Sequence, residues 1–217
     1  DSSTSRGLGD VYKRQLLMAA WKLAPAIAGG NTIVISPSSH TSLSILEFMR
    51  LIEDVLPKGV INLVTGKGSK TGEYLQHHKG FDKLAFTGST AVGRHIGISA
   101  AENLIPATLE LGGKSAHVIF DDCDMQKAIE GAQVGILFNQ GEVCSAGSRL
   151  FIQETIYDEF VEKLVKAFEN VKVGDPLDPE TQMGALRDKE RFTVIEEFIE
   201  KAKAAGGEVL TLSLIHI

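Results

Sequence analysis

Short β-branched segments alternate with segments of helical length along this sequence, and this alternation constrains the fold more than any other feature. The strand-like segments of the first half are 32–35, 60–64 and 82–86, and each is followed by a turn and a segment of helical length. Strands that alternate with helices of about 10–15 residues predict βαβ units and a parallel sheet. We therefore expect an α/β protein.

From residue 107 onward the spacing of these segments changes, which indicates a second structural region. Further strands are expected from 107, over 116–120 and over 148–153. Helices are expected over 16–27, 42–56, 90–103, 124–137, 156–170 and 194–205, and a glycine loop over 66–72 opens a further helix that ends at about 79. Gly112 and Gly113 lie close to the change. We place a domain boundary there, between a domain over 16–112 and a domain over 113–211.

The composition excludes several classes of protein. Of the 217 residues 43% are hydrophobic and 23% charged, enough apolar surface to form a core, so intrinsic disorder is excluded. The formal net charge is −6 and no block of Lys and Arg is present, which argues against nucleic-acid binding. No segment reaches the roughly 20 apolar residues that span a membrane. The chain has only two cysteines, Cys123 and Cys144, so we expect no disulfide scaffold and a reduced, cytoplasmic location.

Both ends of the chain differ in character from the middle. Residues 1–15 have no hydrophobic periodicity, and residues 212–217 are apolar but have neither a helix cap nor a partner segment. They look like translated adapter sequence. We therefore expect a non-native leader, a non-native tail and a chain that is an internal fragment of a longer protein.

Two glycine-rich loops are candidates for binding a phosphate. The loop over 66–72 contains Gly68 and Gly72 but has one residue too many for the pattern G-x-G-x-x-G. The second loop follows a predicted strand and begins a predicted helix, and it consists of Gly88, Ser89, Thr90, Ala91, Val92 and Gly93. The start of a helix offers free N–H groups and a positive dipole end to an anion. A tight connection between strand and helix explains either loop as well, and the loops alone leave both interpretations open.

Glu110 and Cys144 are the candidate catalytic residues. Glu110 stands between two leucines, so we expect its carboxylate to be partly desolvated and suited to act as a general base. An ion pair with Lys114 is the structural alternative. Cys144 lies among small residues after a predicted helix, where a thiol can be exposed and oriented, and its structural alternative is a small buried apolar residue. The aspartates around Cys123 disfavour a thiolate there, which makes Cys123 the weaker nucleophile.

The sequence contains no convincing metal site. None of the six histidines has metal-ligand spacing with a cysteine, and none stands in a loop that clearly faces Cys144, as a cysteine hydrolase would require. Asp121, Asp122 and Cys123 are better explained as the acidic start of a helix than as zinc ligands.

Taken together, two segments resemble the signatures of one enzyme family. Leu-Glu-Leu-Gly-Gly-Lys-Ser-Ala over 109–116 and Gly-Glu-Val-Cys over 141–144 are similar to the glutamate and cysteine signatures of the NAD(P)-dependent aldehyde dehydrogenases, in the same order. Further similarity covers 16–22, 30–32, 86–90 and 174–176, so the resemblance extends over about 16–210. It implies an aldehyde-dehydrogenase-like α/β fold with a Rossmann-type parallel sheet, in which 16–112 is part of the cofactor domain and 113–211 part of the catalytic domain.

The resemblance also implies a mechanism and a set of cofactor contacts. Cys144 would attack an aldehyde to give a thiohemiacetal, loss of a hydride to NAD would give a thioester, and Glu110 would activate the water that hydrolyses it. Ser89 would lie at the pyrophosphate, and the loop over 66–72 on the adenine side. The full set of cofactor residues implied is the second glycine loop together with Trp21, Ser36, Ser39, Gly68, Gly72, Leu111 and Gly112.

Three departures from the family pattern affect these expectations. The family's Pro-Trp-Asn-Phe-Pro segment, whose Asn helps to bind the oxyanion, is replaced by other residues over 11–15. Ser36 and Ser39 stand where Lys and Glu usually meet the adenosine ribose, so NADP could be tolerated although NAD is expected. The chain also ends before the Glu-x-Phe-Gly-Pro segment and the oligomerisation strands. We therefore expect an inactive or nearly inactive fragment of a homodimeric or homotetrameric parent.

Two other functions stay open as alternatives. One is a cysteine-dependent acyltransferase or hydrolase without nicotinamide, against which the βαβ half with its glycine loops argues. The other is a non-catalytic chain that binds a nucleotide or a partner subunit. The aldehyde itself cannot be identified, although Val143 and Ser145 beside the nucleophile suggest a small-to-medium pocket and the resemblance suggests a small aliphatic substrate.

Overall fold

The computed structural model describes residues 6–39, 41–186 and 189–211, with only the backbone described for 6–15 and 190. The helices are α1 Arg6–Ala28, α2 Leu43–Leu51, α3 Glu73–His77, α4 Thr90–Glu102, α5 Met125–Leu137, α6 Tyr157–Glu169 and α7 Lys189–Ala204. The strands are β1 Ile33–Ile35, β2 Ile61–Leu63, β3 Leu84–Thr87, β4 Ala107–Glu110, β5 Ala116–Ile119 and β6 Arg149–Ile152. The chain divides into two compact units, the first over Val11–Gly112 and the second from Gly113 onward together with the residues before Val11.

The strands of the described residues form parallel pairs, each made of two strands that are consecutive in the chain, and a helix connects the members of each pair. β1 pairs with β2 across α2, β3 with β4 across α4, and β5 with β6 across α5. The first two pairs belong to the first unit and the third pair to the second unit. The predicted α/β class with parallel pairing is therefore confirmed.

The core of the first unit forms between α1, α2 and the β1–β2 pair. Ile45 of α2 is only 1% exposed and clusters with Ala19 and Leu23 of α1. The strands contribute alternate residues, because successive side chains of a strand point to opposite faces. Ile33 and Ile35 of β1 accordingly pack against this cluster.

The core of the second unit forms around α6, whose two faces differ in character. Phe160 is fully buried and clusters with Ile119 of β5 and with Ile129 and Ala132 of α5. The opposite face of α6 carries the ion pairs Glu159–Lys163 and Glu162–Lys166, spaced four residues apart. This amphipathic pattern explains why α6 agrees with its expected range within one residue at each end.

Several helix boundaries differ from the sequence-based expectation. α1 begins at Arg6 rather than at 16, and α7 begins at Lys189 rather than at 194. α2 ends at Leu51 rather than at 56, and residues 52–55 form turns. The glycine loop expected over 66–72 contains a wide turn of π type, Gly68–Gly72, and the helix that it opens, α3, ends at His77 rather than at about 79. The expectation for 212–217 lies outside the described residues.

Within the described part of the chain, no helix is long and apolar enough to cross a membrane.

Candidate active site

The second glycine loop and Glu110 meet at the carboxyl edge of the β3–β4 pair. Glu110 is the last residue of β4 and stands opposite Thr87, the last residue of β3. The N–H of Gly88 donates to the Glu110 carbonyl oxygen at 3.0 Å. The carboxyl ends of parallel strands are where α/β proteins bind their ligands, so this edge is the candidate site of the first unit.

Lys22 is a member of this site that sequence reasoning did not identify. Its Nζ donates to Thr87 Oγ1 at 2.7 Å, which brings α1 to the end of β3. Partial burial lowers the pKa of Lys22 from its ordinary value of 10.5, and attraction by the Glu110 carboxylate raises this pKa in part. The only signal in the sequence was that Lys22 ends the 16–22 segment of family similarity.

The expected desolvation of Glu110 is wrong. Its side chain is exposed, whereas Leu109 and Leu111 on either side of it are half-buried. The leucines cannot surround the carboxylate, because neighbouring residues of a strand point to opposite faces. Glu110 therefore interacts with the charge of Lys22 and is not surrounded by apolar side chains.

The second glycine loop forms an exposed helix start. Ser89 is the N-cap of α4, and its Oγ accepts a hydrogen bond from the Val92 N–H at 3.3 Å. Residues 88–92 are exposed, and α4 continues for 13 residues behind them. An exposed helix N-terminus after a parallel strand has the N–H groups and the dipole orientation that a phosphate requires.

Both glycines that bound this loop are required by packing within the protein. A side chain at Gly88 would collide with the ring of Phe86, and one at Gly93 would collide with Leu111. The tight-connection interpretation therefore accounts for these two glycines. Gly93 also allows Leu111, the residue after Glu110, to pack against the first turn of α4.

The remaining cofactor candidates of the first unit lie in loops or on α1. Ser36 and Ser39 are exposed in the loop after β1, and Gly68 and Gly72 bound the π turn that follows β2. Because β1 and β2 are parallel neighbours, these two loops share one edge of the pair. Trp21 on α1 is 62% exposed and Gly112 lies in the exposed segment after β4.

Two glycines of the first loop have open space where a side chain would be. A Cβ atom at Gly68 or at Gly72 would have no protein atom within 4 Å. Packing within the protein therefore does not explain glycine at these positions. The open space leaves room for the close approach of a bound group, as a dinucleotide would require.

In the second unit, Cys144 lies in an exposed turn after α5. Asn139 (φ 52°), Gln140 (φ 56°) and Gly141 (φ 73°) are three consecutive left-handed residues, and they reverse the chain just before the cysteine. Cys144 is exposed, whereas Cys123 is half-buried against the Phe160 core. The alternative of a small buried apolar residue therefore describes Cys123 and not Cys144.

The turn of Cys144 also lies close to the start of the second unit. A Cβ atom at Gly113 would lie 2.6 Å from the carbonyl oxygen of Cys144, too close for any side chain. The ammonium of Lys114, which the sequence offered as a partner of Glu110, donates to the carbonyl oxygen of Gly113 at 3.0 Å. The segment 113–114 is thus packed beside the candidate nucleophile.

The acidic residues near Cys123 have structural roles. Asp124 caps α5 and accepts the N–H of Lys127 at 3.2 Å. Asp121 accepts hydrogen bonds from the Gln153 amide at 2.6 Å and the Thr155 hydroxyl at 3.0 Å. Among the residues that the structure describes, no group of three or more His, Cys, Asp or Glu side chains could hold a metal ion.

Comparisons with known proteins identify the family that the chain is similar to. A profile described as "Aldehyde dehydrogenase family" matches residues 14–214. An aldehyde dehydrogenase of Vibrio cholerae is 48% identical over 201 residues, which are 90% of this chain and 40% of that protein. The NAD+ complex of an aldehyde dehydrogenase from Bacillus cereus superimposes with a TM-score of 0.88 at 42% identity, over 91% of this chain and 40% of that one. The NAD+ complex of betaine aldehyde dehydrogenase from Staphylococcus aureus gives 0.86 at 42% identity, over 88% and 38%. The chain thus spans about 40% of the length of the curated relative that it matches.

Proposed function

Because the chain belongs to the aldehyde dehydrogenase family, we propose that it forms the nucleophile, general-base and pyrophosphate-binding part of an enzyme that oxidises an aldehyde to a carboxylic acid with NAD. The observation that carries this proposal is the hydrogen bond from the Gly88 N–H to the main-chain carbonyl of Glu110, which places the start of the second glycine loop and Glu110 at the same end of the β3–β4 pair. In this proposal 16–112 belongs to the cofactor domain and 113–211 to the catalytic domain.

Cys144 is the proposed nucleophile, since it is the exposed thiol of the chain. Its sulfur attacks the aldehyde carbon, and the oxygen of the resulting thiohemiacetal is negatively charged until the hydride leaves. Bound NAD supplies the acceptor for that hydride. The product of this step is a thioester on Cys144, which water must hydrolyse to release the acid.

Glu110 is the proposed general base for that hydrolysis. An exposed carboxylate can take a proton from water as the water attacks the thioester, and the same proton can then pass to solvent. Lys22 lies close enough for its charge to interact with Glu110, and it is itself fixed by Thr87. We therefore assign Lys22 the role of partly neutralising the carboxylate charge of Glu110 at this edge.

The cofactor contacts follow the loops. The first turn of α4, from Ser89 to Val92, would hold the pyrophosphate, and the open positions Gly68 and Gly72 would border the adenine side. Ser36 and Ser39 place no carboxylate at the ribose, so a 2′-phosphate meets no repulsion and NADP is accepted beside NAD. The two relatives described above were solved with NAD+, which supports NAD as the first choice.

Substrate, location and assembly are assigned more generally. We propose a small aldehyde as substrate, of the aliphatic class, and a homodimer or homotetramer for the longer protein, both by similarity to the family. Both cysteines are free thiols, which supports a reduced, cytoplasmic location.

The proposal is tested by NADH binding to the chain, measured through energy transfer from Trp21, its only tryptophan. Ser89→Asp and Ser89→Asn form a matched pair, since both residues cap a helix as well as Ser does but only Asp adds a negative charge. We expect Asp to weaken NADH binding by about tenfold or more, and Asn by less than about threefold. Equal affinities of the two variants would remove the pyrophosphate assignment. No binding by the unsubstituted chain would favour the cysteine hydrolase.

A further inference from the structure

A buried hydrogen-bond network connects the short helix α3 to the middle of α4. Its members are Gln76 and His77 of α3 and Ser99 of α4, and we refer to them as the α3–α4 clasp. Ser99 is fully buried and Gln76 is 8% exposed. Polar groups at such depth must be satisfied within the protein, so the network constrains how the two helices pack.

The donors and acceptors of the clasp follow from its chemistry. The Ser99 hydroxyl donates to the main-chain carbonyl oxygen of Gln76 at 2.7 Å, and a carbonyl oxygen can only accept. The hydroxyl has a single proton, so at its 2.9 Å contact with His77 Nδ1 the oxygen must accept. His77 therefore carries a proton on Nδ1, which makes the imidazole the donor that fixes Ser99.

The other ring nitrogen has a partner on the same helix. The Gln76 side-chain amide lies 3.3 Å from His77 Nε2 and donates a proton to Glu73 at 2.6 Å. The Glu73 carboxylate also lies 3.1 Å from Nε2. The ring is thereby held on both sides, although half of the side chain is exposed.

The position of this network gives it a consequence for the candidate cofactor site. α3 follows the π turn Gly68–Gly72 without a break, and Gly72 is the N-cap of α3. That turn is closed by the Lys67 carbonyl, which accepts from the N–H groups of Lys70 at 2.9 Å and Thr71 at 2.8 Å. α4 begins at the other candidate loop, with Ser89 as its cap. The clasp thus links the helices that continue from both loops.

We propose that His77 is a positioning residue for the adenosine half of the dinucleotide. Through Ser99 it holds α3, and with it the π turn, at a fixed distance from the first turn of α4. This inference rests on the proposed function for the identity of the ligand. The clasp itself stands on the geometry of the described residues alone.

Two substitutions of His77 distinguish the hydrogen bond that Nδ1 donates from the other properties of the imidazole ring. In His77→Asn the side-chain amide nitrogen lies where Nδ1 was, so it can still donate to Ser99. In His77→Gln the amide reaches the position of Nε2 instead, and Ser99 loses its donor. Ser99→Ala removes the acceptor as well as the bond to Gln76. We expect His77→Gln and Ser99→Ala to lower the affinity for NADH by about fivefold, and the affinity for AMP, measured by competition with NADH, by the same factor. His77→Asn should change either affinity by less than about twofold.

Hydrogen exchange of backbone amides tests the clasp independently of any ligand. In the Gln and Ala variants the Lys70 and Thr71 amides should exchange about fivefold faster, because opening of the π turn becomes easier. The Gly88 amide, which bonds to Glu110 across β3 and β4, serves as the control and should keep its rate. Equal acceleration at Gly88 would mean a general loss of stability and would overturn the positioning role.

The two readouts also distinguish failure of this inference from failure of the proposed function. If the unsubstituted chain does not bind NADH while the π-turn amides still respond to His77→Gln and not to His77→Asn, the dinucleotide assignment fails and the clasp stands. If NADH binds and neither the affinity nor the exchange differs between the Asn and Gln variants, the clasp is refuted and the proposed function stands.

Discussion

Removal of the Thr87 hydroxyl is the most direct test of the edge at which Lys22, Thr87 and Glu110 meet. Valine has nearly the shape of threonine, so Thr87→Val removes the acceptor of the Lys22 ammonium and leaves the packing of β3 intact. A hydrogen bond to a charged group contributes about 1.5–3 kcal/mol when it is well buried. Lys22 is only half-buried, and water can replace part of this bond, so we expect a loss of about 1–2 kcal/mol in the free energy of unfolding.

Urea denaturation followed by Trp21 fluorescence measures this loss in the correct part of the chain. Trp21 is the only tryptophan and adjoins Lys22, so its signal reports the first unit. The matched control is Thr87→Ser, which keeps the hydroxyl and should cost less than about 0.5 kcal/mol. A Val variant as stable as the Ser variant would show that the bond to Lys22 contributes nothing.

The pH dependence of the same loss provides a second check. The pKa of Lys22 is lowered in the folded state, so between that value and 10.5 the unfolded chain binds more protons and stability rises with pH. Loss of the hydroxyl lowers this pKa further, because the ammonium form loses an acceptor. The cost of Thr87→Val should therefore be largest near neutral pH and shrink as the pH approaches 10.5. A cost that is independent of pH would refute the electrostatic part of the reasoning.

Two further substitutions have definite expected outcomes. Leu104, just beyond the C-terminal end of α4, has a φ of 56° and a 93% exposed side chain. Leu104→Gly should therefore raise the free energy of unfolding of the first unit by about 0.5–1 kcal/mol, measured by urea denaturation. Leu104→Ala keeps the strained backbone and should not raise it. Glu110→Gln removes the carboxylate whose attraction partly raises the pKa of Lys22, so this pKa should fall further. NMR titration of the Lys22 ammonium measures the change. An unchanged pKa would mean that the two groups do not interact.

The elements of the fold were predictable where local chemistry determines them. The strand–helix alternation predicted the α/β class with parallel pairing, because short β-branched runs can pack only when helices cover them. Ser89 and Asp124 stand at helix starts that their side chains cap, as residues of these types do. The end of α4 was predicted within one residue, at 103 against Glu102, although the left-handed residue beyond it is Leu104 rather than the usual glycine.

The contacts within the candidate site were not predictable, because they join distant parts of the chain. Lys22 and Thr87 are 65 residues apart, and His77 and Ser99 are 22 apart. The partners lie on different elements of the fold, so no local periodicity of the sequence relates them. The exposure of Glu110 was missed for a different reason. Its neighbours are apolar, but the strand directs them to the other face, and composition alone does not give the phase of a strand.

The glycine loops show why a motif of this kind supports two interpretations at once. In the first loop a side chain at Gly66 would collide with Thr71, whereas Gly68 and Gly72 have open space around the missing side chain. Both glycines that bound the second loop are required by neighbouring side chains. Glycine can be needed in such a loop for two reasons, close packing within the protein and close approach of a ligand, and the spacing of the glycines does not show which reason applies. In this chain Gly68 and Gly72 leave room for the close approach of a ligand, whereas close packing explains Gly88 and Gly93.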